Sequence, residues 1–139
     1  MIRMVLIALA LSAVAGAARA DPCTRIPDRG AMPTEVARGL TFDGPVVYVG
    51  DGDSLCVQTI PGIDGAGWVE VRLADFNAPE LREPGGRAAR AALVRLVLNR
   101  RVRCTAAGRT YDRVAAVCTL DHVGLGDQLR AAGVVEGGR

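Results

Sequence analysis

Four stretches of this sequence hold side chains able to do chemistry: Asp51-Gly52-Asp53, the run from Arg72 to Glu80, Tyr111-Asp112-Arg113, and the arginine series Arg87, Arg90, Arg95, Arg100, Arg101 and Arg103. Carboxylates two residues apart can hold a hard cation through oxygen. A carboxylate such as Glu80 can take a proton, and the planar fork of arginine fits phosphate oxygens. Each stretch also has a plainer reading. Asp-Gly-Asp between strands is most often a tight turn, Arg72 and Glu80 are ordinary surface groups, Asp112 beside Arg113 is a weak ion pair, and the arginine series is a solvated helix face. The Asp-Gly-Asp stretch is no EF-hand, because Leu55 falls where the third ligand belongs and no Glu closes the loop.

Composition removes other chemistries. The chain has no Lys, one His (His122) and two Ser (Ser12 and Ser54). Lysine Schiff bases and P-loop lysines are therefore excluded. A serine hydrolase would have to be built from Ser54 and His122 without a G-x-S-x-G elbow. Zinc proteases and zinc fingers need several His or paired C-x-x-C spacings, and neither is present.

The 139 residues suffice for one domain. Met1-Ile2-Arg3-Met4 gives a positive start, Val5 to Ala15 an apolar run, and Ala18-Arg19-Ala20 the small residues of a cleavage site. Residues 1–20 are thus expected to be a signal peptide rather than a membrane span, with the mature chain starting at Asp21. This implies a secreted or periplasmic protein with no stable membrane association after cleavage. Loss of Arg3 and Arg19 lowers the basic count from 17 to 15, against 15 acids, so attraction for nucleic acid must come from local clustering. All four cysteines (Cys23, Cys56, Cys104 and Cys118) lie in the exported part, where disulfides are favoured and three connectivities are possible. Cys104 and Cys118 flank Val-rich segments with Gly108 between them, so a hairpin brings them face to face. Cys23 is then left for Cys56.

The elements that must position these side chains follow from periodicity. Residues 21–41, with Pro22, Pro27, Pro33 and Gly39, read as an arm, and the domain occupies residues 42–139. Val46 to Val49, Leu55 to Ile60 and Trp68 to Leu73 are β-branched-rich runs separated by Gly and Asp, which predicts a three-strand meander. Their alternation places Leu55, Val57, Val69, Val71 and Leu73 inward, with Glu70 and Arg72 on a wet face. Ala89, Ala92, Leu93, Leu96 and Val97 recur at three and four residues and predict an amphipathic helix of about four turns ending near Asn99. Strands follow at Arg101 to Cys104 and Val114 to Leu120, then a short helix from Asp127 closed by Gly133. Five strands with a helix between the third and fourth is the order of a mainly β, five-stranded OB-type barrel.

Taken in order, Val49-Gly50-Asp51-Gly52-Asp53-Ser54-Leu55, Val71-Arg72-Leu73 with Asn77-Ala78-Pro79-Glu80, Tyr111-Asp112-Arg113 and the Leu129 to Gly133 helix end resemble the staphylococcal (micrococcal) nuclease, or thermonuclease-like, family over about Val46 to Gly133. The resemblance implies an OB-type barrel and a Ca²⁺-dependent nuclease acting on DNA and RNA with little sequence preference. It implies that Asp53 is a direct Ca²⁺ ligand with Asp51 in the outer sphere, and that the Ala78 carbonyl is a further ligand. Glu80 becomes the general base for in-line attack by water, Arg72 and Arg113 bind phosphate oxygens and stabilise the transition state, and Tyr111 contacts substrate phosphate. Arg87, at the head of the arginine series, joins the substrate-binding set. A monomer is expected.

Two departures from the family pattern bear on these roles. The family's second Ca²⁺-binding aspartate falls at Asn77, which still offers an amide oxygen but no charge, so weaker metal binding is expected, with Asp75 a candidate to compensate. Typical members also continue past the short helix with aromatic residues and a further helix, so looser base contact is expected here. A second class of function stays open: a non-catalytic OB-type module that binds nucleic acid or another anionic partner, its metal site weakened by Asn77. A purely structural or protein-binding domain is the third. The presence of Glu80 together with Arg72 and Arg113 favours the nuclease, because a binding module needs the arginines and not the base.

Overall fold

The computed structural model describes residues 20–60 and 67–137. The signal peptide expected at 1–20 therefore lies, but for its last residue, outside the described residues. Within them no helix is long and apolar enough to cross a membrane.

After a 3-10 turn at Thr34–Val36, the elements run β1 (Thr41–Val49), β2 (Ser54–Gln58), β3 (Trp68–Leu73), α1 (Gly86–Val97), β4 (Arg101–Thr110), β5 (Arg113–Leu120), β6 (Val123–Gly124) and α2 (Leu125–Ala131). The sheet order is β3-β2-β1-β4-β5-β6, and a parallel β3 to β5 pairing closes the first five strands into a barrel. This mixed closure, with α1 between β3 and β4, is the OB-type barrel expected. Closure removes the free edges that an open five-stranded sheet would expose.

Several boundaries differ from those read in the sequence. β1 starts at Thr41, because the segment through Gly44-Pro45 pairs with β4 despite its poor strand propensity. β4 runs on to Thr110 through a register shift between Ala106 and Gly108, so the β4–β5 hairpin turns at Tyr111-Asp112 and not at Gly108. α1 has 12 residues, nearer three turns than four, since Asn99 at φ 63° swings the chain into a bond from its N–H to the Val46 carbonyl. α2 begins at Leu125, two residues earlier than expected, and Gly133 at φ 80° follows it. The two-residue β6 has too little pattern to be read at all.

The interior is apolar and continuous. Val46, Val49, Leu55, Val57, Val71, Leu73, Val102 and Val114 line it from the strands, and α1 adds Ala89, Leu93 and Val97 from one helical stripe. Cys104 and Cys118 face each other across β4 and β5 in this core, joined by a disulfide. The second disulfide joins Cys23 to Cys56. Both pairings are those expected.

The arm is docked on the barrel, tied to β2 by the Cys23–Cys56 disulfide. The Thr24 N–H donates to the Trp68 carbonyl, the Ile26 N–H donates to the Asp112 carbonyl, and Val36 is buried. This corrects the expected wet face of β3: Glu70 is 7% exposed, covered by the arm, with Arg25 Nε 3.5 Å from its carboxylate. Burial, then the nearby Asp21, raises the Glu70 pKa, while Arg25 and Arg113 oppose them.

Candidate active site

The β1–β2 turn sets two carboxylates beside each other. The Gly50 N–H donates to the Ser54 carbonyl, the Asp51 N–H to Ser54 Oγ, and the Asp53 N–H to Asp51 Oδ1 at 3.0 Å. Such side-chain-closed turns suit Asp and Ser. Gly52 lies where a Cβ would come within 2.6 Å of the Cβ atoms of both Ala78 and Ala89. The turn is thereby clamped between the loop after β3 and the first half of α1, which only glycine permits.

Asp53 is 5% exposed. Its Oδ2 accepts from the Ala78 N–H at 2.8 Å and lies 3.2 Å from Arg72 Nη2. The same Nη2 donates to Asn77 Oδ1 at 2.6 Å, and Nη1 donates to the Leu73 carbonyl at 3.2 Å. Arg72 thus ties two oxygen acceptors from different segments to one guanidinium. The Asp53 pKa is pushed up to about 6, first by burial and then by the charge of Asp51, although the Ala78 N–H and Arg72 pull it down. Two acids crowded in a desolvated turn are the electrostatic setting that a cation relieves.

The loop after β3 carries two more of the expected groups, Ala78 and Glu80. Ala78 presents its N–H to Asp53, while its carbonyl lies 3.1 Å from the Cβ position of Gly137. Glu80 is exposed and opens a chain of turns in which the Glu83 N–H bonds the Glu80 carbonyl, the Gly86 N–H bonds the Glu83 carbonyl, and α1 begins. Gly86 stands so close over the Glu80 carbonyl that a side chain there would collide with it. Glu80 therefore has a backbone fixed by the start of the helix. Arg87 follows in the first turn, exposed.

Arg113 and Tyr111 sit on β5 and its preceding turn. Val114 pairs with Val71 and Ala115 with Arg72, so Arg113 enters the sheet just before the residues that flank Arg72. Its charge bears on the buried Glu70. Tyr111 is 80% exposed and held at φ 53°, a conformation that a residue with a bulky side chain adopts only when its surroundings impose it.

The structure also brings in residues that local reading missed. The Asn77 N–H donates to Glu136 Oε1 at 2.9 Å, Asn77 Nδ2 donates to the Gly137 carbonyl, and the Gly137 N–H returns a bond to the Asn77 carbonyl. Arg130 braces this strap with bonds to Glu136 and to the Asp75 carbonyl, its guanidinium lying over the Phe76 ring. The Asn77 N–H and Arg130 hold the Glu136 pKa down. The partners stand 59 and 60 residues from Asn77, so no local signal marks them. The Asp75 carboxylate lies within 2.8 Å of the Cβ position of Gly126, near the start of α2, and its Oδ1 is buried without a hydrogen-bond partner among the described residues.

The donor set of Asp51, Asp53 and the Asn77 amide oxygen is all hard oxygen, of the type Ca²⁺ takes. Among the described residues, the one cluster of three His, Cys, Asp or Glu side chains close enough to share an ion, Asp21 with Cys23 and Cys56, has its two sulfurs in a disulfide. Compared with known proteins, the chain matches no family model. No curated protein gives a significant match either.

Proposed function

We propose that the chain is an exported, metal-dependent nuclease that hydrolyses phosphodiester bonds of DNA and RNA with little sequence specificity. The observation that supports it most is the meeting of Asp51, Asp53, Arg72 and Asn77, drawn from three segments, at a turn where burial and a neighbouring acid raise the Asp53 pKa. A phosphodiester is an anion that repels hydroxide, so a cleaving site needs positive charge on the phosphate and a carboxylate for the proton. Asp53, Asn77 and the Ala78 carbonyl would hold Ca²⁺, with Asp51 in the outer sphere, and the bound ion would neutralise charge on the phosphate. Arg72 and Arg113 bind its oxygens, Tyr111 makes a further phosphate contact, and Glu80 takes the proton of the attacking water. The leader reading and the two disulfides support export.

One observation favours the binding module instead. Arg72 already satisfies both Asp53 and Asn77 without any ion. Cleavage of single-stranded DNA in Ca²⁺ by wild type, Asp53→Ala and Arg72→Ala decides between them. A nuclease loses 100-fold or more in turnover with each substitution, on the order of the loss of one transition-state donor. A module gives no cleavage in any of the three and loses binding in Arg72→Ala.

A further inference from the structure

Next to this site runs a groove of about 870 Å³ between the end of β1 and the outer side of α1. Its lining combines apolar side chains, Val47, Leu81, Val94 and Leu98, and the aromatic Tyr48 with Arg82, Arg87 and Arg90, and contains no acid. Two features of the chain build it. A bulge lies between Val46 and Tyr48, so that Val46 and Val49 both enter the core while Val47 and Tyr48, between them, remain half-exposed. On α1 the core stripe is Gly86, Ala89, Leu93 and Val97, and the stripe one position on is Arg87, Arg90 and Val94, at the same three- and four-residue steps, with Leu98 just past the helix end. Arg90 Nε is fixed to the Val49 and Gly50 carbonyls at 3.1 Å each, so the groove ends at the residue before Asp51.

We propose that this groove is a subsite for the strand of a single-stranded nucleic acid next to the phosphate at Asp53 and Arg72, a deepening that rests on the nuclease reading. Charge complementarity selects the occupant. Arg82 and Arg87, both exposed and with no acid in the lining, call for an anion, and the apolar side chains and Tyr48 that share the lining call for flat apolar groups carried on that anion. Backbone phosphates take Arg82 and Arg87, and one unstacked base lies on Tyr48. A duplex keeps its bases stacked inside and has none to offer such a lining.

The test measures binding in chelator, where no cleavage interferes, by anisotropy of a labelled octathymidylate and of an abasic octamer with the same phosphates. Wild type should bind the thymidylate at least about fivefold tighter than the abasic strand, the lower end of what one stacked base supplies. Tyr48→Leu, which keeps the apolar volume of the strand, should erase that difference. Arg82→Ala/Arg87→Ala, at exposed positions, should reduce the slope of log affinity against log salt by about 1.4, since each phosphate contact on a single strand accounts for about 0.7. Equal affinity for the two probes, no binding by wild type, or an unchanged salt slope in the double variant would overturn the subsite. Cleavage in Ca²⁺ by the same wild-type preparation is a separate readout. Groove binding without cleavage keeps the subsite and sinks the nuclease, whereas cleavage with an unchanged slope does the reverse.

Discussion

Replacing Asp53 by asparagine keeps the shape of the turn and removes one of its two carboxyl groups, so it exposes what that charge does to stability. The Asp53 pKa lies near 6 in the folded chain against an ordinary 3.8. Between those values the native state holds a proton that the unfolded state has lost, so stability is full below the lower value and falls as pH rises through the upper one. At about 1.4 kcal/mol per pH unit of displacement, the loss comes to about 3 kcal/mol. Urea unfolding in chelator at intervals from about pH 4 to pH 8 measures it as the difference between wild type and Asp53→Asn. Other acids, Glu70 among them, titrate in both proteins and largely cancel. Over this range the difference should move by about 2 to 3 kcal/mol against wild type up to roughly pH 6 to 7 and stay level above. Ca²⁺ at neutral pH should then restore wild type far more than the variant, by ligation to the ionised form. Parallel pH profiles would refute the reasoning, because they would mean that burial and Asp51 do not act on Asp53.

Three further outcomes follow from the packing. Cys23→Ser/Cys56→Ser should cost about 2 to 4 kcal/mol and open the arm to limited proteolysis before Thr41, and unchanged protection would show that backbone bonds alone hold it. Asn77→Asp should tighten Ca²⁺ binding in a calorimetric titration, and it should loosen the Gly137 strap because a carboxylate cannot donate to that carbonyl. Equal affinities would count against Asn77 as a ligand position. Gly52→Ala should destabilise by about 1 to 3 kcal/mol in thermal unfolding, since its Cβ meets Ala78 and Ala89 at 2.6 Å, and a neutral result would mean that the loop yields freely.

The barrel was legible because its strands differ in composition from what separates them. Val46 to Val49 and Trp68 to Leu73 are β-branched runs bounded by Gly and Asp, and the spacing of Ala89, Leu93 and Val97 admits only a helix. What escaped is what depends on distant partners. Gly44-Pro45 extends β1 because β4 pairs with it, and Glu70 is buried because an arm some 45 residues upstream lies over it through Cys23 and Cys56. At the site, Asp51 and Asp53 were visible as a pair in one turn. The Arg72 bond to Asn77 could be anticipated only as spacing, and the strap from Glu136 and Gly137 not at all, since nothing near Asn77 in the chain indicates it. Arg90 had a signal, one helical turn after Arg87, but its bonds to Val49 and Gly50 need the fold.

The central claim is that this site cleaves phosphodiesters with Glu80 as base. Its most direct test is cleavage of single-stranded DNA by the oxidised protein from Asp21 onward, in Ca²⁺ and in chelator, beside Glu80→Ala prepared identically. Cleavage that requires Ca²⁺ and disappears in Glu80→Ala while DNA binding persists is the predicted result. No cleavage by folded wild-type protein in millimolar Ca²⁺, or equal cleavage by Glu80→Ala, would contradict it.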